Sequence, residues 1–273
     1  MITTVYLAAY TFRNYRVVQA LIQARHANIL RAFGYSVNEK FHNEVYLVLE
    51  SVPKYGSLNE FLTKEEKRRM LNATHRCRIM CDVAKALMFL HNGGVIDGSS
   101  EYIFMHRDLN SSCICLTADL TAKVVIDYDK AIVRIRDEED NQEDSSDRAV
   151  VGNPNPGYTC PWYLRGNVFQ PECDVFSFGV ILLEILTGSL QVGQNSDRSF
   201  GEDLVDRYFF SNEKGSFLVN DVDPLAGYEW NSCLSTIAKA ALSCVDFDPF
   251  KRPNSTDLSG KLSQICDKFL QMT

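Results

Sequence analysis

From Asp174 to Thr187 the chain reads DVFSFGVILLEILT, with only Asp174, Ser177, Glu184 and Thr187 interrupting the apolar residues, and it stops at Gly188. A helix with no polar face has no side to turn to water, so it must lie inside a shell of other elements. A single layer of structure cannot supply that shell. A chain of 273 residues, 45% of them apolar, can.

The neighbouring segments have the patterns such a shell needs. Thr74 to His91 is amphipathic, with Ile79, Val83, Leu87 and Leu90 on one face, and Gly93 and Gly94 end it. Leu234 to Val245 and Leu258 to Phe269 read as two more amphipathic helices. Near the start, Val17, Leu21 and Ala24 recur at helical spacing between Asn14 and Arg25, and Ile29 to Phe33 and Glu44 to Glu50 read as strands. Pro53 and Gly56 break that pattern, and Ser57 with Glu60 forms a capping box that opens a short helix through Leu62. The predicted architecture is α+β: a small mixed lobe over residues 1–52, with a helix on a short antiparallel sheet, and a mainly helical lobe over 53–273.

The net charge of -7 is local in origin. Seven acidic residues and no basic one lie between Asp137 and Asp147, and outside that run 28 basic residues meet 28 acidic ones. Like charges repel, so the run reads as a solvated loop, with Ser145 and Ser146 inside it. No basic stripe exists for nucleic acid. No apolar run reaches the ~18 residues that cross a bilayer, and Met1 to Phe12 lacks the basic flank of a leader. Nine cysteines form neither a paired C-x-x-C frame nor an even disulfide set, which predicts reduced thiols and a cytoplasmic location.

The segment HRDLNSSCICL, His106 to Leu116, lies between an amphipathic helix and a strand-turn-strand pattern. It resembles the catalytic loop of protein kinases, H-R-D-L-x-x-x-N. Six further segments follow a kinase's order: HANILRAFGY from His26, VYLVLESVPKYGSLNEFL from Val45, DYD at Asp127, GYTCPWYL from Gly157, DVFSFGVILLEILTG from Asp174 and DPFKRP from Asp248. From about Arg13 onward the chain is similar to the tyrosine-kinase-like group, such as plant receptor-like kinases. The resemblance implies a two-lobed protein kinase-like fold with an activation segment at about 127–162. It implies ATP and Mg as cofactors, a nucleotide held by Glu50, Val52, Cys115 and Asp127, and catalytic roles for Asp108, Arg107 and Asn110.

Phosphoryl transfer is chiefly positioning and charge neutralisation, and here the parts that do this work are depleted. No glycine precedes Gly34 and no lysine precedes Lys40, so neither a Gly-rich loop nor a strand lysine is present in this chain. The small lobe is expected to be truncated, with an unpaired sheet edge that a partner strand would complete or that would leave the lobe marginally stable. Val17 stands at the family's helix glutamate, and Asn110 at the lysine common in serine/threonine kinases. Cys113 replaces the metal-binding asparagine, a soft thiol where Mg²⁺ wants oxygen. Asp127 remains as the metal-binding carboxylate of the D-F-G position, but Asp129 replaces its glycine. Trp162 replaces the glutamate that normally pairs with the arginine matching Arg252, so Arg252 is expected to stack on Trp162 or turn to solvent. These losses predict a pseudokinase, acting by binding protein partners, an active kinase among them, with weak or absent ATP and Mg binding. The alternative is an ATP-dependent serine/threonine or tyrosine kinase whose remaining small lobe is not in this chain.

Overall fold

The computed structural model describes residues 6–11, 22–23, 25–37, 44–50, 55–96, 100–127, 130–135, 155, 157–191, 204–209, 221–227 and 231–272. Val17, Val52, Tyr128, Asp129 and the acidic run 137–147 lie outside the described residues, as does most of the predicted first helix, of which Ile22 and Gln23 are helical.

The N-terminal sheet has three strands, β1 (Tyr6–Thr11), β2 (Ala32–Val37) and β3 (Glu44–Leu49), antiparallel in the order β1-β3-β2. Two results differ from the sequence reading. β1 was not foreseen, because YLAAYT carries no period-two alternation. β2 starts at Ala32, since Ile29 makes an isolated parallel bridge to Val124 and Leu30 donates its N–H to the Val124 carbonyl at 2.9 Å. Among the described strands β1 pairs with β3 alone.

The short helices α1 (Leu58–Thr63) and α2 (Glu65–Arg68) follow. Ser57 caps α1 by accepting the Glu60 N–H at 3.3 Å. The expected reciprocal arm of the capping box is replaced by an ion pair, because the Glu60 carboxylate takes the Lys67 ammonium at 2.9 Å. The long helix α3 (Ala73–Asn92) is capped by Asn72 and ends on Gly93 at φ 72, where any side chain would collide with the Tyr102 carbonyl. β4 (Gly94–Ile96), β5 (Ser100–Met105), the hairpin β6 (Ile114–Leu116) and β7 (Ala122–Val124), and β8 (Ile132–Ile135) come next. The sheet β4-β5-β8 escaped the sequence reading, which expected this stretch to be mostly helical. It delivers the chain from Met105 straight into His106.

The rest is helical: α4 (Pro161–Leu164), α5 (Pro171–Thr187), α6 (Leu204–Phe209), α7 (Asn231–Cys244) and α8 (Ser255–Met272). α5 is the predicted buried helix, and every residue from Cys173 to Thr187 is buried. α7 packs against it through Gly179, and α8 packs along α3. Arg76 of α3, wholly buried, ties the centre together: it pairs with Asp223 at 2.5 Å and donates to the carbonyls of Leu71 and Ile185 at 2.8 and 2.5 Å. Short antiparallel sheets with mainly helical content, and a small sheet at the start, make this an α+β fold.

Candidate active site

The loop after β5 is held from below by one carboxylate. Asp174, buried in the first turn of α5, accepts the His106 N–H at 2.7 Å on Oδ2 and the Arg107 N–H at 2.9 Å on Oδ1. His91 Nε2 reaches the same Oδ2 at 3.1 Å. His106 Nδ1 faces the Asp108 N–H at 3.4 Å, so its Nε2 carries the proton donated to the Val125 carbonyl at 2.9 Å. Arg107 sits at φ 69, a conformation that non-glycine residues adopt only when their surroundings fix it. Anchored on both sides, the loop holds Asp108 with its carboxylate half-buried.

Around Asp108 the predicted site residues divide into two groups. Asn110 uses its side chain on the loop: its Oδ1 accepts the Ser112 N–H at 2.9 Å and its Nδ2 donates to the Asp108 carbonyl at 2.8 Å. The Cys113 thiol donates to that same carbonyl at 3.2 Å. Burial, reinforced by the Asp108 charge, pushes this thiol up to about 12, so the group standing where the resemblance implies an oxygen ligand is a neutral S–H. Arg107 turns its guanidinium to the Tyr163 hydroxyl at 2.6 Å. Cys115, in the middle of β6, is buried, and its thiol is pushed up by that burial. The Glu50 carboxylate pairs with Lys123 at 3.0 Å and accepts the Arg31 N–H at 3.2 Å, and its own N–H goes to the Arg31 carbonyl at 2.7 Å. Val52 is not among the described residues, so the structure brings Asp108, Asn110, Cys113 and Asp127 together and leaves Glu50 and Cys115 on neighbouring elements.

The sequence reading missed the residue that joins the two acidic groups. A turn closed by the Lys130 and Ala131 N–H groups on the Asp127 carbonyl, at 3.1 and 2.9 Å, folds Lys130 back. Its ammonium lies 2.5 Å from Asp108 Oδ2 and 3.5 Å from Asp127 Oδ2. Partial burial pulls the Lys130 ammonium down, but the hydrogen bond and charge of Asp108, with Asp127 behind it, outweigh that and raise it. The signal was available in the sequence as a lysine three residues after Asp127.

This donor set does not fit Mg²⁺. The ion requires near-octahedral oxygen ligation, whereas the groups here are a protonated thiol and two carboxylates already bridged by an ammonium. Among the described residues no group of three or more His, Cys, Asp or Glu is placed to hold a metal. A lysine supplies positive charge without any coordination position.

The expected fate of Arg252 is corrected. It neither stacks on Trp162 nor reaches solvent; it is buried, its guanidinium carbon 5.0 Å from the Phe176 ring centroid. Its Nε donates to the Asp246 carbonyl at 2.7 Å, and its Nη1 to the Glu172 carbonyl at 2.8 Å and to Cys160 Sγ at 3.0 Å. Trp162 instead meets Phe250 edge-on at 6.0 Å. Backbone carbonyls and a sulfur have taken the place of the missing carboxylate.

No helix among the described residues is long and apolar enough to cross a membrane. In comparison with known proteins, the protein tyrosine and serine/threonine kinase family matches residues 11–262. Similar relatives include three from Arabidopsis thaliana. Cysteine-rich receptor-like protein kinase 27 is 31% identical over 90% of this chain and 35% of its own length. Cysteine-rich receptor-like protein kinase 37 is 32% identical over 87% and 34%. Cysteine-rich receptor-like protein kinase 38 is 38% identical over 65% and 24%. The chain thus spans about a third of the length of the first two. With the loop geometry, the buried helix and this match in agreement, the chain belongs to the protein tyrosine and serine/threonine kinase family.

Proposed function

We propose that this chain is a catalytically impaired, kinase-shaped protein that acts in signalling by binding a protein partner or regulating an active kinase. The observation that carries the reading is Lys130 bridging Asp108 and Asp127. As catalytic base, Asp108 would have to accept a proton from a substrate hydroxyl, and the oxygen that would do so is bound to an ammonium. Asp127 would have to offer its carboxylate to a metal, and that charge is already partly neutralised. The protonated Cys113 thiol removes a further oxygen ligand. One missing electrostatic donor lowers a rate by about 10² to 10³, so two or more together would leave turnover at least ~10⁴-fold below that of an intact site. On this reading residues 1–52 and 53–273 are two lobes, the protein works in the cytoplasm, and Arg107, Asn110, Glu50 and Cys115 have structural rather than catalytic duties.

A second reading has one observation in its favour: Asp108 and Asp127 are both present and lie within reach of a single lysine. Lys130 would then be a removable block in an active ATP-dependent kinase. Thermal shift with ATP, with and without Mg²⁺, on the wild-type chain and on Lys130→Met separates the two. The impaired reading expects no Mg²⁺-dependent shift in either protein and no transfer of radiolabelled phosphate to a peptide. A Mg²⁺-dependent shift with transfer abolished by Asp108→Asn would overturn it, and the appearance of both only in Lys130→Met would select the removable block.

A further inference from the structure

A cavity of about 340 Å³ lies where the segment before β2, the residue after β3 and β7 meet. Its walls carry three cations, Arg25, Arg31 and Lys123, against one carboxylate, Glu50, so three positive charges less one negative leave a surplus of two. His26 adds a donor but no charge. Its Nδ1 accepts the Asn28 N–H at 3.1 Å, which leaves the ring proton on Nε2, and burial, followed by the Lys85 charge, holds the imidazole below its ordinary value. Among the described residues, none that lines this cavity belongs to the Asp108 loop or to the turn carrying Lys130.

The charges in this cavity are settled unequally. Glu50 is committed, since it pairs with Lys123 at 3.0 Å and accepts the Arg31 backbone N–H at 3.2 Å. The Arg31 guanidinium takes no part in that pair. Its carbon lies 4.7 Å from the Phe33 ring centroid, and its Nε is shut from water with no hydrogen-bond acceptor. A buried charged donor without an acceptor is costly, and an anion in the cavity relieves that cost. Phe33 is 44% exposed, so an apolar ring stands open beside the same guanidinium. A phosphate bound to Arg31 would therefore place its ester group next to Phe33.

We propose that this cavity binds a phosphate monoester borne on an aromatic ring. The Arg31 and Arg25 guanidinium groups take the phosphate oxygens, the His26 Nε2–H donates a further bond, and the ring lies on Phe33. A phosphate monoester carries close to two negative charges at pH 7, which matches the surplus, whereas a carboxylate would leave one charge uncancelled. The planar guanidinium fork also suits phosphate oxygens. Size agrees, since ligand cavities begin at about 300 Å³, more than a bare ion fills. Two sources carry this group: a phosphotyrosine side chain on a protein, and a free aryl phosphate. Binding here uses neither Asp108 nor Asp127, so it is independent of whether the chain transfers phosphate.

The test is isothermal titration calorimetry on the full chain with phenyl phosphate, inorganic phosphate, benzoate, and one tyrosine peptide with and without its phosphate. Phenyl phosphate should bind at least about tenfold more tightly than inorganic phosphate or benzoate. Arg31→Lys keeps the charge but loses the fork, and Arg25→Gln removes a charge at an exposed position; each should weaken phenyl phosphate about tenfold. Phe33→Ala should erase its advantage over inorganic phosphate. Because Arg25 is exposed, its variant keeps the test valid even where Arg31→Lys fails to fold. A phosphopeptide that binds as tightly as phenyl phosphate assigns the source to a protein, and one that binds more weakly assigns it to a free aryl phosphate. Lys130→Met should leave binding unchanged. Phenyl phosphate that fails to bind, binds no more tightly than inorganic phosphate, or loses affinity in Lys130→Met but not in Arg25→Gln would overturn the proposal.

Discussion

Asp174→Ala should be among the most damaging single substitutions in the chain, and the structure sets its size. The carboxylate satisfies two buried backbone donors, the N–H groups of His106 and Arg107, and also the His91 ring. Leaving a buried donor unsatisfied costs about 1 to 3 kcal/mol, so the two backbone groups alone account for roughly 2 to 6. Release of Arg107 from its positive φ returns about 1 to 2 kcal/mol, and water entering the vacated space recovers some hydrogen bonding. The expected net loss is about 3 kcal/mol, a large share of the roughly 5 to 15 that holds a domain folded. Asp174→Asn keeps one acceptor oxygen but turns an amide N–H toward a second donor, so about 2 kcal/mol is expected. Urea unfolding followed by circular dichroism gives both values, and hydrogen exchange at the amides of 106 and 107 should accelerate with them. A loss below about 1 kcal/mol in Asp174→Ala, with those two amides still protected, would refute the argument that this carboxylate holds the loop.

Glu184 is buried inside α5, bonded to the Tyr158 hydroxyl and to the Gln191 N–H at 2.9 Å, and burial raises it from 4.5 to about 7. Since the folded state then binds the proton more tightly than the unfolded state, its contribution is complete below pH 4.5 and is lost as pH rises to about 7, roughly 3 kcal/mol in all. Glu184→Gln should flatten that part of the stability–pH profile, and an unchanged slope in urea titrations from pH 4.5 to 7 would contradict the assignment. Gly179→Ala places a methyl group 2.6 Å from Cys244 Cβ and 2.8 Å from Val245 Cγ1. Overpacking of about 1 to 3 kcal/mol should exceed the ~1 kcal/mol gained in helix propensity, so a lower urea midpoint is expected and a higher one would show that α7 can move aside.

What the sequence alone determined is what adjacent residues decide among themselves. Helix periodicity in α3, α7 and α8, the unbroken apolar run of α5, the Ser57 cap and the stops at Gly93 and Gly188 depend on contacts within a few residues, and each was legible as a pattern. The order of the motifs likewise carried the family. The sheets were harder to read, because β1 pairs with β3 and β5 with β8 across long stretches of chain rather than being specified by their own alternation, and β4 is too short to show any. Only the tertiary structure decided how the charges were settled. Lys130 reaches back across 22 positions to Asp108, and Arg252 across 92 to Cys160, and no local pattern encodes either distance. A buried or half-buried charge takes the best partner that packing brings within about 3 Å. The sequence could therefore announce that Arg252 lacked its usual carboxylate, while the choice of a sulfur and backbone carbonyls in its place belonged to the fold.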